Sequence, residues 1–527
     1  MPISAPEVEG IYPCDMKKDN KILILDCGSQ YTQLIARRVR EIGVFSEIIF
    51  WDEADEKLSD SLPAGIIVSG GPRSVLDEDS PRIPESVLKS GVPILGICYG
   101  MQLIAHQFGG KVQRGVVAEY GRAVVKLMGG RVFNRIKNSE TIDVWMSHWD
   151  EVALLPEGFA VTAVSDCGAI AGFESSDGRI NAIQFHPEVA HTPNGKEILS
   201  AFVFDICGCT ADWKLGHDWI DGEIRNIRTQ VGNERVICGL SGGVDSTVSA
   251  VITSRAIDDN LFCIFVDHGM LRKDEGVHVM EMYKSLNLNV RYVDASKRFL
   301  DALAGVTDPE RKRKIIGELF IRVFEEESRA IGGAKWLLQG TIYPDVVESG
   351  HAGGGVIKSH HNVGGLPKDM EMRLLEPLRN LFKDEVREVG RALGIDPHFL
   401  KRHPFPGPGL AVRCLGELTK ERLDVLREAD AIFIDEINKF GLYDDIWQAF
   451  CALLPVRSVG VVGDVRTYGE TAALRAVSSQ DAMTAEWVRL PYELLDVVAR
   501  RICNEVPKIN RVVFDITGKP PATIEWE

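Results

Sequence analysis

The chain has 527 residues, 45% hydrophobic and 26% charged, with a net charge of −16. That acidic balance argues against an extended nucleic-acid surface, which needs a basic face, and no run of 18 apolar residues exists to span a membrane. The length predicts about three domains, and eleven cysteines without paired spacing suit a reducing cytoplasm better than a disulfide framework.

The first twenty residues hold no apolar stretch of the kind a secretory leader needs. Residues 21–210 then alternate apolar runs with amphipathic stretches. Lys21–Leu25 reads as a strand, Gln33–Ile42 as a helix stopped by Gly43, and Gly65–Val68 and Val92–Leu95 as further strands. This rhythm predicts a largely parallel sheet, with antiparallel strands in the turn-rich stretch from Gly115 to Ile183. Gly96-Ile97-Cys98-Tyr99-Gly100 lies between a strand and a helix and has the form of a nucleophile elbow with Cys98 as nucleophile. The helix start beyond it favours a thiolate. In His186-Pro187-Glu188 the proline biases His186 to an extended backbone, so Glu188 lies on its side and can orient the imidazole as base for Cys98. Ser69-Gly70-Gly71-Pro72 follows the preceding strand, and the N–H groups of Gly71 and Tyr99 are candidates to bind an oxyanion. Cys207-Gly208-Cys209 has no nearby His or Cys to complete a metal set.

Residues 211–402 open with a predicted helix over 211–229, followed by strands at 236–240, 261–266, 289–293 and 335–339. Ser241, Gly242, Gly243, Val244, Asp245, Ser246 and Thr247 connect the first strand to a helix, forming a cradle of N–H groups and hydroxyls for phosphate. The loop lacks the lysine of the usual γ-phosphate site, and the Gly-Lys pairs at Lys111, Lys196 and Lys519 are followed by the wrong residue. Such a loop suits ATP cleavage between the α- and β-phosphates, with pyrophosphate leaving whole. Asp267-His268-Gly269 and Gln339-Gly340-Thr341 end later strands and should face the same nucleotide. Asp245 is the expected carboxylate for Mg2+, with Asp345 and Glu348 as further candidates. Arg311-Lys312-Arg313-Lys314 and the glycine-rich stretch Gly353–Gly365, which carries Lys358, His360 and His361, offer positive charge to an anionic substrate.

His403-Pro404-Phe405-Pro406-Gly407-Pro408-Gly409 is a predicted loop that opens residues 403–527. Helices near 418–438 and 480–503 and a strand near Arg511–Ile516 are expected beyond it. The ending Lys519-Pro520-Pro521-Ala522-Thr523-Ile524-Glu525-Trp526-Glu527 is too apolar and proline-stiffened for a fraying terminus.

The first segment resembles a class I, triad-type glutamine amidotransferase, and the second an N-type ATP pyrophosphatase. In that order and with that tail, the chain from about Lys21 to Glu527 resembles the family of glutamine-hydrolysing GMP synthetases. The resemblance implies two doubly wound α/β domains, the first with a mixed sheet, and a smaller α+β dimerisation domain. It implies that glutamine, ATP and xanthosine monophosphate (XMP) are substrates and that the chain forms a homodimer. Arg313, Lys519 and Glu525 match residues that contact XMP, while Lys358, His360 and His361 match a lid that helps form the adenylate. Two rivals are an amidating synthetase of the NAD synthetase type and a non-catalytic nucleotide sensor with a degenerate glutaminase.

Overall fold

The computed structural model describes residues 18–137, 139–349, 372–462, 464–479 and 484–527. It divides into two compact units, Met1–Lys214 and Leu215–Glu527. Among the described residues no helix is long and apolar enough to cross a membrane.

The first unit is built on nine strands: β1 (Lys18–Asp26), β2 (Phe45–Phe50), β3 (Leu62–Val68), β4 (Ile94–Ile97), β5 (Lys111–Leu127), β6 (Thr141–Leu154), β7 (Phe159–Ser165), β8 (Ile170–Ser175) and β9 (Ile180–Ile183). They form one sheet in the order β2-β1-β3-β4-β9-β8-β7-β5-β6. The ladder from β2 through β9 is parallel, and the remainder is antiparallel. β3 and β4 are buried along their whole length, as expected of short apolar strands covered on both faces. The predicted mixed sheet is therefore present.

The second unit holds a wholly parallel five-stranded sheet of β10 (Val236–Leu240), β11 (Leu261–Asp267), β12 (Val290–Asp294), β13 (Trp336–Leu338) and β14 (Arg373–Leu375). Its order, β12-β11-β10-β13-β14, reverses direction at β10. A crevice opens at such a reversal, outside the carboxyl end of the strand. The predicted strands match closely. The helix expected at 211–229 runs from His217 to Val231.

The carboxyl-terminal part adds β15 (Gln448–Val462), β16 (Val465–Ser478), β17 (Glu486–Trp487) and β18 (Ile509–Phe514), with helices Lys420–Lys439 and Tyr492–Glu505. The long β15–β16 hairpin was not among the expected elements. Pro455 in β15 and the Ala-rich run in β16 obscure it, because the inner half of β16 is buried on both faces and shows no alternation. The helix expected from 480 starts only at Tyr492, since Glu486 and Trp487 pair with β16. One apolar core runs from Ile237 and Phe299 through Leu410 and Phe433 to Leu474. Residues 403–527 therefore fold onto the parallel sheet within one compact unit.

Candidate active sites

In the first unit, β4 ends at Ile97 and the chain turns at Cys98 with φ 53° and ψ −105°. A side chain rarely tolerates this region, and holding one there costs about 1–3 kcal/mol. Cys98 N–H donates to Ile183 O on neighbouring β9 at 2.8 Å, which fixes the turn. Two glycines make it possible. A Cβ on Gly96 would lie 2.6 Å from Gly100 O, and one on Gly100 would lie 2.4 Å from Val68 O. The helix Tyr99–Gln107 therefore rests directly on the sheet edge, with the Cys98 sulfur 3.6 Å from Ser147 O.

His186 follows β9. Its Nδ1 lies 2.7 Å from Glu188 Oε1, and both residues are buried. The backbone around the ring is pinned: His186 N–H donates to Trp145 O at 3.1 Å, and its carbonyl accepts from Thr192 Oγ1 at 2.7 Å. Burial by itself would lower the imidazole pKa, but the Glu188 carboxylate and a hydrogen bond with Cys98 outweigh it and raise the pKa well above the ordinary value. The fold thus brings Cys98, His186 and Glu188 together.

The 69–71 loop lies against the same imidazole, because a Cβ on Gly70 would come 3.3 Å from His186 Cε1. One on Gly71 would lie 2.7 Å from Cys27 O and 3.3 Å from the Tyr99 ring. Tyr99 heads its helix, so its N–H has no acceptor within that helix. Its hydroxyl donates to Pro81 O at 2.7 Å, and burial pushes its pKa up to about 12.

In the second unit, β10 feeds the loop at the strand-order reversal. Gly242 takes φ +76°, and Gly243 precedes the helix Val244–Ile257 with an extended backbone. The loop is braced from within and from one side. Ser241 Oγ and Ser246 Oγ are 3.2 Å apart, Thr247 Oγ1 donates to Gly243 O at 2.8 Å, and Gly242 N–H donates to the buried Tyr283 hydroxyl at 3.1 Å. The N–H groups of Val244, Asp245 and Ser246 have no acceptor within the helix they open. The loop ending β13 packs on this turn: a Cβ on Gly340 would lie 2.9 Å from Asp245 C and Ser246 N. Next to β11, His268 is buried, which lowers its pKa to about 4.

Lys383 was not found by sequence reasoning. Its ammonium pairs with Asp245 Oδ2. The loop thus lacks a lysine of its own, yet a lysine 138 residues away reaches it, and no local motif marks that residue. Asp245 Oδ1 is buried without a hydrogen-bond partner, so a cation fits against this carboxylate. Asp345 Oδ2 accepts from Ile342 N–H at 3.1 Å. Lys358, His360 and His361, and the side chain of Glu348, lie outside the described residues.

The tail is anchored by residues that also carried no motif. Arg413, fully buried, grips Glu525 with two hydrogen bonds of 3.0 and 2.8 Å, and Gln448 Nε2 donates to the same carboxylate at 2.8 Å. Buried Lys312 pairs with Glu527, whose main-chain oxygen accepts from Arg313 Nη2. The structure therefore joins Arg313 to the tail through Glu527 rather than Glu525. Lys519 pairs its main chain with Ala485. A polar relay runs from the 241–247 loop towards this tail. Arg402 donates to Gly242 O at 3.1 Å and Glu275 at 2.7 Å, while Arg272 donates its N–H to Glu275 and its Nη2 to Ala449 O, next to Gln448.

Residues 23–206 match the description "Glutamine amidotransferase class-I", 217–316 match "NAD synthase", and 435–526 match "GMP synthase C terminal domain". A glutamine-hydrolysing GMP synthase of Aquifex aeolicus is 56% identical over 507 residues, covering 96% of this chain and 99% of that protein. The protein of the same description from Carboxydothermus hydrogenoformans is 55% identical over 510 residues, covering 96% and 100%. A solved structure described as a putative GMP synthase subunit of Thermoplasma acidophilum is 34% identical over 36% of this chain and 94% of its own, with a TM-score of 0.32. The NAD synthase match ends at residue 316, whereas the GMP synthase likeness runs through the anchored tail. The chain belongs to the glutamine-hydrolysing GMP synthase family.

Proposed function

We propose that the two sites divide one synthesis between them: the first frees ammonia from glutamine, and the second spends ATP to place that nitrogen on XMP, giving GMP. The chain is accordingly a carbon–nitrogen ligase, and ATP is its co-substrate. The observation that carries the glutaminase assignment is the strained Cys98 beside a buried His186–Glu188 pair.

The Cys98 sulfur attacks the carboxamide carbon of glutamine. The N–H groups of Gly71 and Tyr99 receive the oxyanion, and His186 gives a proton to the departing ammonia. Water, deprotonated by His186, then cleaves the thioester to glutamate. Glu188 holds the imidazole in orientation and stabilises its cationic form.

In the second site, residues 241–247 hold the ATP phosphates. The oxygen on carbon 2 of XMP attacks the α-phosphorus, and pyrophosphate leaves from the loop. Ammonia then adds at carbon 2 and AMP departs. Lys383 balances charge at the phosphates. Magnesium fits because Asp245 keeps one buried carboxylate oxygen unpartnered; Asp245 and Asp345 would hold it, and it would neutralise phosphate charge. Arg313, Lys519 and Glu525 bind XMP in this reading, and Lys358, His360 and His361 close over the adenylate.

Residues 211–402 act as the synthetase module and 403–527 as a dimerisation module that carries the tail. Val459 and its cross-strand partner Tyr468, with Val461 on the same face of the β15–β16 hairpin, are each more than half exposed and support pairing with a second copy. Nucleotide substrates and the cysteine usage suit a cytoplasmic setting. The decisive experiment is Cys98→Ala: glutamine-driven GMP formation is lost while formation from ammonium persists. Equal use of glutamine by the variant overturns the assignment and favours the sensor reading.

A further inference from the structure

Gly242 is buried, while Ser241 and Gly243 on either side of it are exposed. Both polar groups of this glycine are held from outside the loop. Its N–H donates to Tyr283 Oη at 3.1 Å, and its carbonyl accepts from Arg402 Nη1 at 3.1 Å. Arg402 is held in turn: Nη2 donates to Glu275 Oε1 at 2.7 Å, and Glu275 Oε2 accepts from Arg272 N–H at 3.0 Å.

One helix face stands behind both contacts. Glu275, Val279 and Tyr283 are spaced at i, i+4 and i+8 on the helix Glu275–Ser285, so they form a single stripe. All three are buried, and a Cβ on Gly242 would lie 3.0 Å from Val279 Cγ2. The hydroxyl directions close the arrangement. Gly243 O can only accept, so Thr247 Oγ1 donates to it. The Tyr283 hydroxyl, 3.4 Å from Thr247 Oγ1, donates there while receiving Gly242 N–H.

Glycine has little preference for either sign of φ, so an unheld Gly242 would let the loop turn over. In a trans peptide a C=O and the following N–H point opposite ways. Holding Gly242 O against Arg402 therefore turns Gly243 N–H to the exposed side, where it lies 3.3 Å from Ser241 Oγ. We propose that Arg402 and Tyr283 are positioning residues for ATP cleavage, setting the loop in its anion-binding form before nucleotide arrives. The inference rests on the role given to residues 241–247 above. Both residues act through Gly242. Glu275 already balances the charge of Arg402, so that side chain contributes orientation rather than added positive potential.

Ammonium-driven GMP synthesis by the full chain tests this. Arg402→Ala should lower kcat by about 30- to 100-fold and leave KM for XMP nearly unchanged. Guanidinium chloride, well below denaturing concentrations, should recover about 10-fold of that loss, because a planar fork can donate to both oxygens at once. Methylammonium should recover none. Tyr283→Phe should cost about 10-fold. Since both side chains fix one glycine, the double variant should lose much less than the product of the two single losses. Lys273→Ala, which removes only an exposed ion pair with Glu428, should leave the rate unchanged. Calorimetry with inorganic pyrophosphate gives a readout independent of synthesis, and Arg402→Ala should weaken binding about 10-fold. If pyrophosphate binding depends on Arg402 while the unaltered chain makes no GMP, the assigned reaction fails and this inference stands. Unchanged pyrophosphate affinity overturns it. So does a loss in Arg402→Ala that falls on KM for XMP alone, that guanidinium does not relieve, or that multiplies fully with the loss in Tyr283→Phe.

Discussion

The Cys98 elbow and the 241–246 loop are both strand-to-helix turns at the carboxyl edge of a parallel ladder, and they place their strain differently. At the elbow the positive φ falls on Cys98 itself, with glycines on either side making room. At the 241–246 loop it falls on Gly242, and the hydroxyl-bearing residues keep ordinary backbone. A nucleophile must project its side chain above the sheet, so its own backbone is bent. A phosphate cradle only presents N–H groups, so a glycine takes the bend and no side chain is strained.

The strongest way to break this comparison is Asp245→Ala. It should abolish GMP synthesis from glutamine and from ammonium alike, by more than about 1,000-fold if charge at the phosphates governs that site; retained ammonium-driven synthesis in a direct nucleotide assay would separate the loop from the chemistry. Gly340→Ala should follow, with a loss of about 100-fold from either nitrogen source. Its Cβ would press on Asp245 and Ser246, and the glutaminase should be untouched.

Glu188→Gln sharpens the other side. Glu188 raises the His186 pKa, so removing its charge lets burial prevail and the pKa falls. The imidazolium is then lost at lower pH, and the alkaline limb of the glutaminase pH profile should move down, with a rate loss of about 10- to 100-fold. An unmoved limb would mean that Glu188 does not set this titration. The smallest effects are on stability. Cys98→Gly should be more stable than Cys98→Ala by about 1 kcal/mol, whereas Gly242→Ala should destabilise by at least as much; denaturant melts measure both.

Local chemistry decided what could be read from the sequence. The elbow, the His-Pro-Glu triplet and the 241–247 loop are each contiguous, so their residue order carries the geometry. Both parallel ladders were legible for the same reason, since each strand is a short apolar run. Lys383, Arg402 and Arg413 were not, because each meets its partner across more than 100 residues and lies in ordinary helix or loop sequence. The β15–β16 hairpin escaped because Pro455 and an alanine-rich buried half mask the period of two.

The central claim is that the 241–246 loop releases two linked phosphates as one group. Phosphorus NMR of the products during GMP synthesis tests it most directly. AMP and pyrophosphate should each form in equal amount to GMP. ADP with free orthophosphate would contradict the account, since no adenylated nucleotide could then have formed.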